Sequence, residues 1–236
     1  MKSIKPKEIF AMCENLGLHH EPTLNFLPPS QIGSIRSIEA AIIVSLLRII
    51  DAERILEIGT YKGYTTSLLA MNSNANAVVY SIDLPLDENH RLELNLDDIL
   101  KDGNVNDLFL INEQFRDREI YCRLLSSRFS DKIRLIKADS TKLDFRSIAE
   151  DGKAFDLIFI DGGHDYATAY HDSINAISIR GENTIILWHD YESSLHTDVS
   201  KVIEEISLSN PIFSIPGTSL AISLPNSLFE LLKSTK

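Results

Sequence analysis

Four residues near the ends of two apolar runs hold the most chemistry in this chain. They are Asp161 and His164 in "FIDGGHDY" and His189 and Asp190 in "ILWHDY". Carboxylates and imidazoles bind divalent cations, and a carboxylate from one strand end can meet a His-Asp pair from the next on a single ion. A second group lies earlier, in "RILEIGTYKGYTTSLL", where Glu57, Gly59 and Gly63 stand between an apolar run and a helical stretch. A glycine turn there lets the backbone approach a ligand closely and leaves helix N–H groups pointing at it. The phosphate-binding patterns GxGxxG and GxxxxGK[ST] are both absent. An acid beside the turn repels a pyrophosphate and suits a ligand with positive charge. S-adenosylmethionine (SAM) is such a ligand, with a sulfonium and an ammonium.

Both groups need a frame. Five short apolar runs, "RILEIG" (54–59), "AVVYSID" (77–83), "KIRLIK" (132–137), "FDLIFID" (155–161) and "TIILWHD" (184–190), alternate with helical stretches. Near-continuous apolar runs rich in β-branched residues predict strands covered on both faces, hence a parallel sheet wrapped by helices. "PIFSI" and "SLAISL" follow with only Pro216, Gly217 and Thr218 between them. A parallel crossover needs about a dozen residues, so these two strands must pair antiparallel. Residues 1–34 read as a helical N-terminal extension, and 35–236 as the main domain. "KPKEIFAMCENLG" is helical to Gly17, Pro28-Pro29 breaks a loop, and Ser34 is placed to cap the helix "SIRSIEAAIIVSLLRIID". Residues 86–115 have no clean period and are expected to be an insertion over the sheet's C-terminal edge. It reads as a surface excursion, an oligomer contact or a lid over the substrate. A helix is expected around "REIYCRLLSSRF" (118–129).

Composition narrows the classes. Net charge is −11 and no block of Lys or Arg occurs, which disfavours nucleic acid as a partner. No apolar run reaches the roughly 18 residues of a membrane span. "MKSIKPKEIF" shows no apolar signal-peptide core. Cys13 and Cys122 lack metal spacing and fit structural cysteines in a reducing compartment, so a cytoplasmic location is expected.

"LEIGTYKGYTT" resembles motif I of the class I SAM-dependent methyltransferases, (D/E)xGxxxG, and other motifs follow in order. "VVYSIDLP" puts Asp83 where that family binds both ribose hydroxyls. "IKADS" puts Asp139 and Ser140 where it contacts adenine. The resemblance covers about residues 35–225. It implies a doubly wound, mainly parallel seven-stranded α/β sheet with a C-terminal antiparallel hairpin. It also implies a SAM site built from Glu57, Gly59, Thr60, Tyr61, Gly63 and Thr65 at the first turn, with Asp83, Asp139, Ser140 and Asp161 at the later strand ends. "IDGGHDY" with "LWHDY" resembles the metal-dependent small-molecule and sugar O-methyltransferases. That likeness implies a divalent ion, Mg²⁺ or Mn²⁺, on Asp161, His189 and Asp190, with His164 as general base. His189 stands where that group has an oxygen ligand, which shifts the expected ion from Mg²⁺ toward Mn²⁺, Fe²⁺ or Zn²⁺.

The leading expectation is therefore SAM-dependent O-methylation of a hydroxyl on a small molecule or sugar. Two alternatives stay open, a non-catalytic SAM-binding or partner-binding protein and a nucleotide-cofactor oxidoreductase. Whether the chain forms a homo-oligomer is left open as well. Other residues are expected to be ordinary. His19, His20, His171 and His196 read as surface histidines, and Lys62 as solvated. Asp144, Asp156 and Asp172 read as turn, cap or surface acids. Trp188 is expected in the core, and Tyr191 on a substrate wall.

Overall fold

Alternation along the strands decides the layers. In Arg54–Ile58 (β2), Ile55 faces one core cluster and Leu56 and Ile58 the other. In Phe155–Ile160 (β5), Leu157 and Phe159 face the first cluster, and Ile158 and Ile160 the second. A strand buried on both faces must lie inside a sheet with helices above and below. The computed structural model shows that arrangement over the residues it describes, 1–18, 33–85, 105–116, 129–148 and 152–234. The Pro28-Pro29 loop, residues 86–104 of the insertion, the helix expected over 118–129, His19, His20 and Cys122 lie essentially outside them.

The remaining strands are Lys2–Ser3 (β1), Val78–Asp83 (β3), Ile133–Lys137 (β4), Arg180–Trp188 (β6), Phe213–Ser214 (β7) and Ala221–Ser223 (β8). Their order across the sheet is β1-β7-β8-β6-β5-β2-β3-β4. β4, β3, β2, β5 and β6 run parallel, while β8 is antiparallel to both β6 and β7. The seven expected strands are thus in place. The two-residue β1 adds an eighth at the edge, parallel to β7.

Helices Pro6–Asn15 (α1), Ser37–Ile49 (α2) and Tyr64–Asn72 (α3) cover one face. Tyr166–Ser178 (α5) and Thr197–Ser207 (α6) cover the other. Val105–Arg116 (α4) lies in the insertion, and Asn226–Ser234 (α7) ends the described chain. Ile4, Ile9 and Met12 are buried in the same cluster as the sheet's own residues, so the described part of the 1–34 segment is built into the core. α2 begins later than Ser34. Its N-cap is Arg36, whose backbone N–H donates to Glu39 Oε2 at 2.7 Å. The glutamate three residues into the helix thus takes the N-cap residue's own N–H, the reciprocal half of a capping box. Among the described residues no helix is long and apolar enough to cross a membrane.

Candidate active site

The strand ends place the site. Ladder hydrogen bonds continue past the strands: Ala138 N–H to Asp83 O (2.8 Å), Gly59 N–H to Ile82 O (2.9 Å), Asp161 N–H to Ile58 O (2.8 Å) and His189 N–H to Ile160 O (2.9 Å). The expected residues of β4, β3, β2, β5 and β6 are therefore held side by side along one edge, where ligands bind in open α/β sheets. A cavity of about 650 Å³ opens over that edge. Gly59, Tyr61, Asp83, Asp139, Ser140 and Asp161 line it, together with His164, His189 and Asp190.

Glu57, Thr60, Gly63 and Thr65 stand behind this wall. Glu57 is fully buried, and its Oε2 accepts hydrogen bonds from the hydroxyls of Thr66 and Ser81. Burial pushes its carboxyl up to about 8. Its Oε1 meets no partner among the described residues. At a value of about 8 the carboxyl holds its proton near neutral pH, and with Oε2 accepting two hydrogen bonds the proton falls on Oε1. Asp83 is half-buried at the cavity edge, and loss of solvent there pushes its carboxyl up to about 6. Gln114 Nε2 from α4 donates to Asp83 Oδ2 at 2.6 Å and to Tyr61 O at 2.7 Å.

The second half of the cavity is an acid–imidazole cluster. His189 Nδ1 lies 3.0 Å from Asp161 Oδ1 and 3.1 Å from Asp190 Oδ2, and its Nε2 lies 3.4 Å from Glu39 Oε2. His164 Nε2 lies 3.0 Å from Asp190 Oδ2, and its Nδ1 is hydrogen-bonded to Asp107 of α4. Asp190 takes a left-handed backbone conformation (φ 60°), which Asp tolerates better than most residues, and this turns the chain sharply off β6. Burial opposes charge on both imidazoles, but the carboxylates outweigh it. His164 is pushed up to about 10 by Asp107 and Asp190, and His189 is raised well above the usual range by Asp161, Asp190 and Glu39. Burial opposes charge on Asp190 as well, yet its two imidazole partners hold it well below the usual carboxylate range. Glu39 falls to about 2 by the same balance, with His189, Arg36 and the Ser219 N–H overcoming burial.

Several expectations need correction. His196 is buried, and its ring stacks on His164 with centroids 3.7 Å apart. It starts α6, which the packing of α5 against α6 brings over the site. Lys62 is only 6% exposed, with its Nζ 5.4 Å from the Tyr61 ring centre, because its alkyl stem packs inward. Asp172 is fully buried beside Gly162 and neither caps nor faces solvent; Asp144 accepts the nearby Arg146 N–H, and Asp156 accepts the N–H groups of Glu53 and Arg54 at the start of β2. Tyr191 packs in the core under α6 and is not on the cavity wall. Trp188 is core as expected, with its indole N–H on Ser173 Oγ at 3.0 Å.

Four site residues escaped the sequence reading: Glu39, Asp107, Gln114 and His196. A signal existed for one pair. Asp107 and Gln114 are seven positions apart, one helical face, but the acidic run around them hid the period.

The family described as "Methyltransferase domain" matches residues 56–191, more than half of the chain. No curated protein matches it. Among solved structures, the O-methyltransferase from Bacillus cereus in complex with SAH is 16% identical, with a TM-score of 0.54 over 91% of this chain and 90% of that one. The O-methyltransferase TomG from Streptomyces achromogenes, involved in tomaymycin synthesis and solved with SAM, is 14% identical. Its TM-score is 0.51, over 92% of this chain and 90% of that one. The SAH-bound methyltransferase PaMTH1 from Podospora anserina is 14% identical, with a TM-score of 0.53 over 91% and 87%. At such identities the likeness is one of fold. The family match is a different matter, because it runs from the strand before the glycine turn to the His-Asp pair, and by it the chain belongs to the methyltransferase domain family.

Proposed function

We propose that the protein is a SAM-dependent O-methyltransferase acting on a hydroxyl of a small molecule or sugar, with a divalent ion at Asp161, His189 and Asp190. One observation carries the reading. The cavity that Asp83, Asp139 and Ser140 line at one end is continuous with the acid–imidazole cluster at the other. A cofactor methyl and an acceptor hydroxyl can therefore meet in one space. The solved structures bound to SAM or SAH support the cofactor, since they share this fold.

Among the described residues, Asp161, Asp190 and His164 bring one ligand atom each within 4.8 Å of one another, close enough for one cation, and His189 lies against both carboxylates. Ligand atoms about 2.1 Å from one transition ion at right angles stand about 3 Å apart. His189 Nδ1 is 3.0 and 3.1 Å from its two carboxylate neighbours. Four carboxylates (Glu39, Asp107, Asp161, Asp190) crowd two imidazoles, and the raised imidazole pKa values are the mark of that excess negative charge. When bound, a divalent ion would polarise an acceptor hydroxyl and make it more acidic.

The chain's own residues do the rest. Asp83 offers a carboxylate to the ribose hydroxyls, with Gln114 sharing or yielding Oδ2. Glu57 stands behind the turn, where its Oε2 ties Thr66 and Ser81 together. His164 Nε2 faces the same space as Asp161 and Asp190, in place to take the acceptor's proton as oxygen attacks the sulfonium methyl. Holding those two atoms in line supplies much of the rate. An imidazole pushed up to about 10 is already protonated at neutral pH and cannot act as a base. Neutralising Asp190 lowers that value, so the base role and the cation stand or fall together.

The test is calorimetry with SAM, SAH and NAD, then a screen of hydroxylated acceptors with and without chelator, read by mass spectrometry. SAM and SAH are expected to bind with one site per chain and NAD not at all. Asp83→Ala should weaken SAM at least about tenfold, because hydrogen bonds to a charged acceptor are worth roughly 1.5–3 kcal/mol each. Absence of SAM binding by the wild type ends the reading. NAD binding in its place favours an oxidoreductase. SAM binding without turnover of any acceptor favours a non-catalytic SAM-binding protein.

SAM binding should also depend on pH. Free Asp83 holds its proton up to about pH 6, and the ribose hydroxyls call for the ionised form. Below that value binding must release a proton. The affinity should be level above about pH 7 and fall by up to about tenfold per pH unit below about pH 6. Titrations in buffers of different ionisation enthalpy would read the released proton directly. A flat affinity from pH 5 to 8 would show that Asp83 is not the ribose acceptor.

A further inference from the structure

The insertion helix α4 turns one face into the cavity. Asp107, Leu110, Ile111 and Gln114 line it, the i, i+3, i+4, i+7 positions of a single helical stripe. The two polar residues of that stripe reach opposite halves of the site. Gln114 anchors the helix to the first glycine turn and to Asp83, and Asp107 reaches His164.

The Asp107 contact is double. Oδ1 is hydrogen-bonded to the ring Nδ1 of His164, and Oδ2 accepts the backbone N–H of the same residue at 3.1 Å. One carboxylate therefore fixes both the main chain and the ring of His164. The stacked His196 ring covers one face of the imidazole, and Asp190 lies at the far nitrogen. Little rotational freedom is left, and Nδ1 must carry a proton, since a carboxylate only accepts.

We infer that Asp107 is the positioning residue of His164, a carboxylate supplied by the insertion helix that holds the ring by its Nδ1–H and turns Nε2 toward Asp190 on the cavity side. The inference rests on the reading of His164 as proton acceptor. Its physics is that of any base oriented by a third group. The carboxylate holds the imidazole in one orientation through its two contacts with the same residue. It also gives the insertion a chemical task, because the methyltransferase sheet alone leaves His164 Nδ1 without Asp107.

Asparagine tests it sharply. The carboxylate serves two N–H donors with two oxygens, and an amide has only one oxygen, so Asp107→Asn must set an NH₂ against one of them. Asp107→Ala removes the clamp without that conflict and suits a helix. The ring Nδ1–H of His164 should be visible by proton–nitrogen NMR as a slowly exchanging low-field signal, assigned by its loss in His164→Ala. Both Asp107 variants are expected to lose it. Both should lower kcat at least tenfold, with KM for SAM and SAM affinity within about twofold of wild type. A wild type without the signal, or variants that keep both signal and kcat, would overturn the inference. Should no acceptor be turned over even by the wild type, the proposed function falls, while the NMR signal and its loss still decide whether Asp107 holds His164.

Discussion

His164→Ala should lower kcat by about 10²- to 10⁴-fold, the range for loss of a general base, with SAM affinity unchanged. The size follows from the acceptor's chemistry. A sugar hydroxyl keeps its proton near neutral pH and attacks poorly until that proton is drawn away. In this protein His164 stands 3.0 Å from Asp190 and clamped to Asp107, facing the space between cofactor wall and carboxylates. Asp83, Asp139 and Ser140 lie at the other end of the cavity, so the alanine leaves the cofactor contacts alone. Asp190→Ala should be the complementary case. It removes a carboxylate that touches both imidazoles, and should abolish metal-stimulated turnover while SAM still binds. Stopped-time assays at saturating SAM, with Mn²⁺ or Mg²⁺ added back to chelated enzyme, read both. If chelation leaves wild-type turnover of the true acceptor unchanged, the metal is out. With Asp190 left charged beside it, His164 would keep its proton at neutral pH, and its role as base would fall with the metal.

Much of the fold was legible because strands that are buried on both faces must be apolar throughout. Each of the five runs became a strand within a few residues of its expected limits, although β4 closes the edge of the sheet and is only partly buried. The hairpin was legible because three residues cannot span a parallel crossover. β1 was not legible. Two exposed residues, Lys2 and Ser3, carry no strand pattern, and only the edge of β7 recruits them. Site residues at strand ends were legible for a related reason: an acid closing an apolar run must leave the core there. Those on helices were hidden. Glu39 lies within an otherwise apolar helix and reads as a surface glutamate, yet it is fully buried under Ser219, Arg36 and His189. His196 follows a Ser-rich turn and looks solvent-facing until α6 is packed against α5. Contacts made across the fold leave no local period to read.

The glycine of the first turn joins fold and site, and it sets the second large effect. Gly59→Ala is expected to destabilise the protein by more than about 4 kcal/mol, or to prevent soluble folding altogether. Gly59 has φ 93°, and a Cβ built on it would lie 1.9 Å from Asp161 O and 2.5 Å from Asp161 C. Both are backbone atoms at the end of β5, held by the Asp161 N–H bond to Ile58 O at 2.8 Å. They cannot swing aside as a side chain would. Making room means parting β2 from β5 at the very place where the cofactor wall meets Asp161. Gly217→Ala supplies the control. It has φ 83° but meets nothing within 4 Å, so it should show the left-handed backbone penalty alone, about 1–2 kcal/mol. At roughly 2–4 °C of Tm per kcal/mol for a domain of this size, thermal melts separate the two variants by about 5 °C or more. Equal melting temperatures would mean that β2 and β5 can part at their C-terminal ends without cost. The close approach of Gly59 to Asp161 could then not be what sets the cofactor cavity against the acid–imidazole cluster.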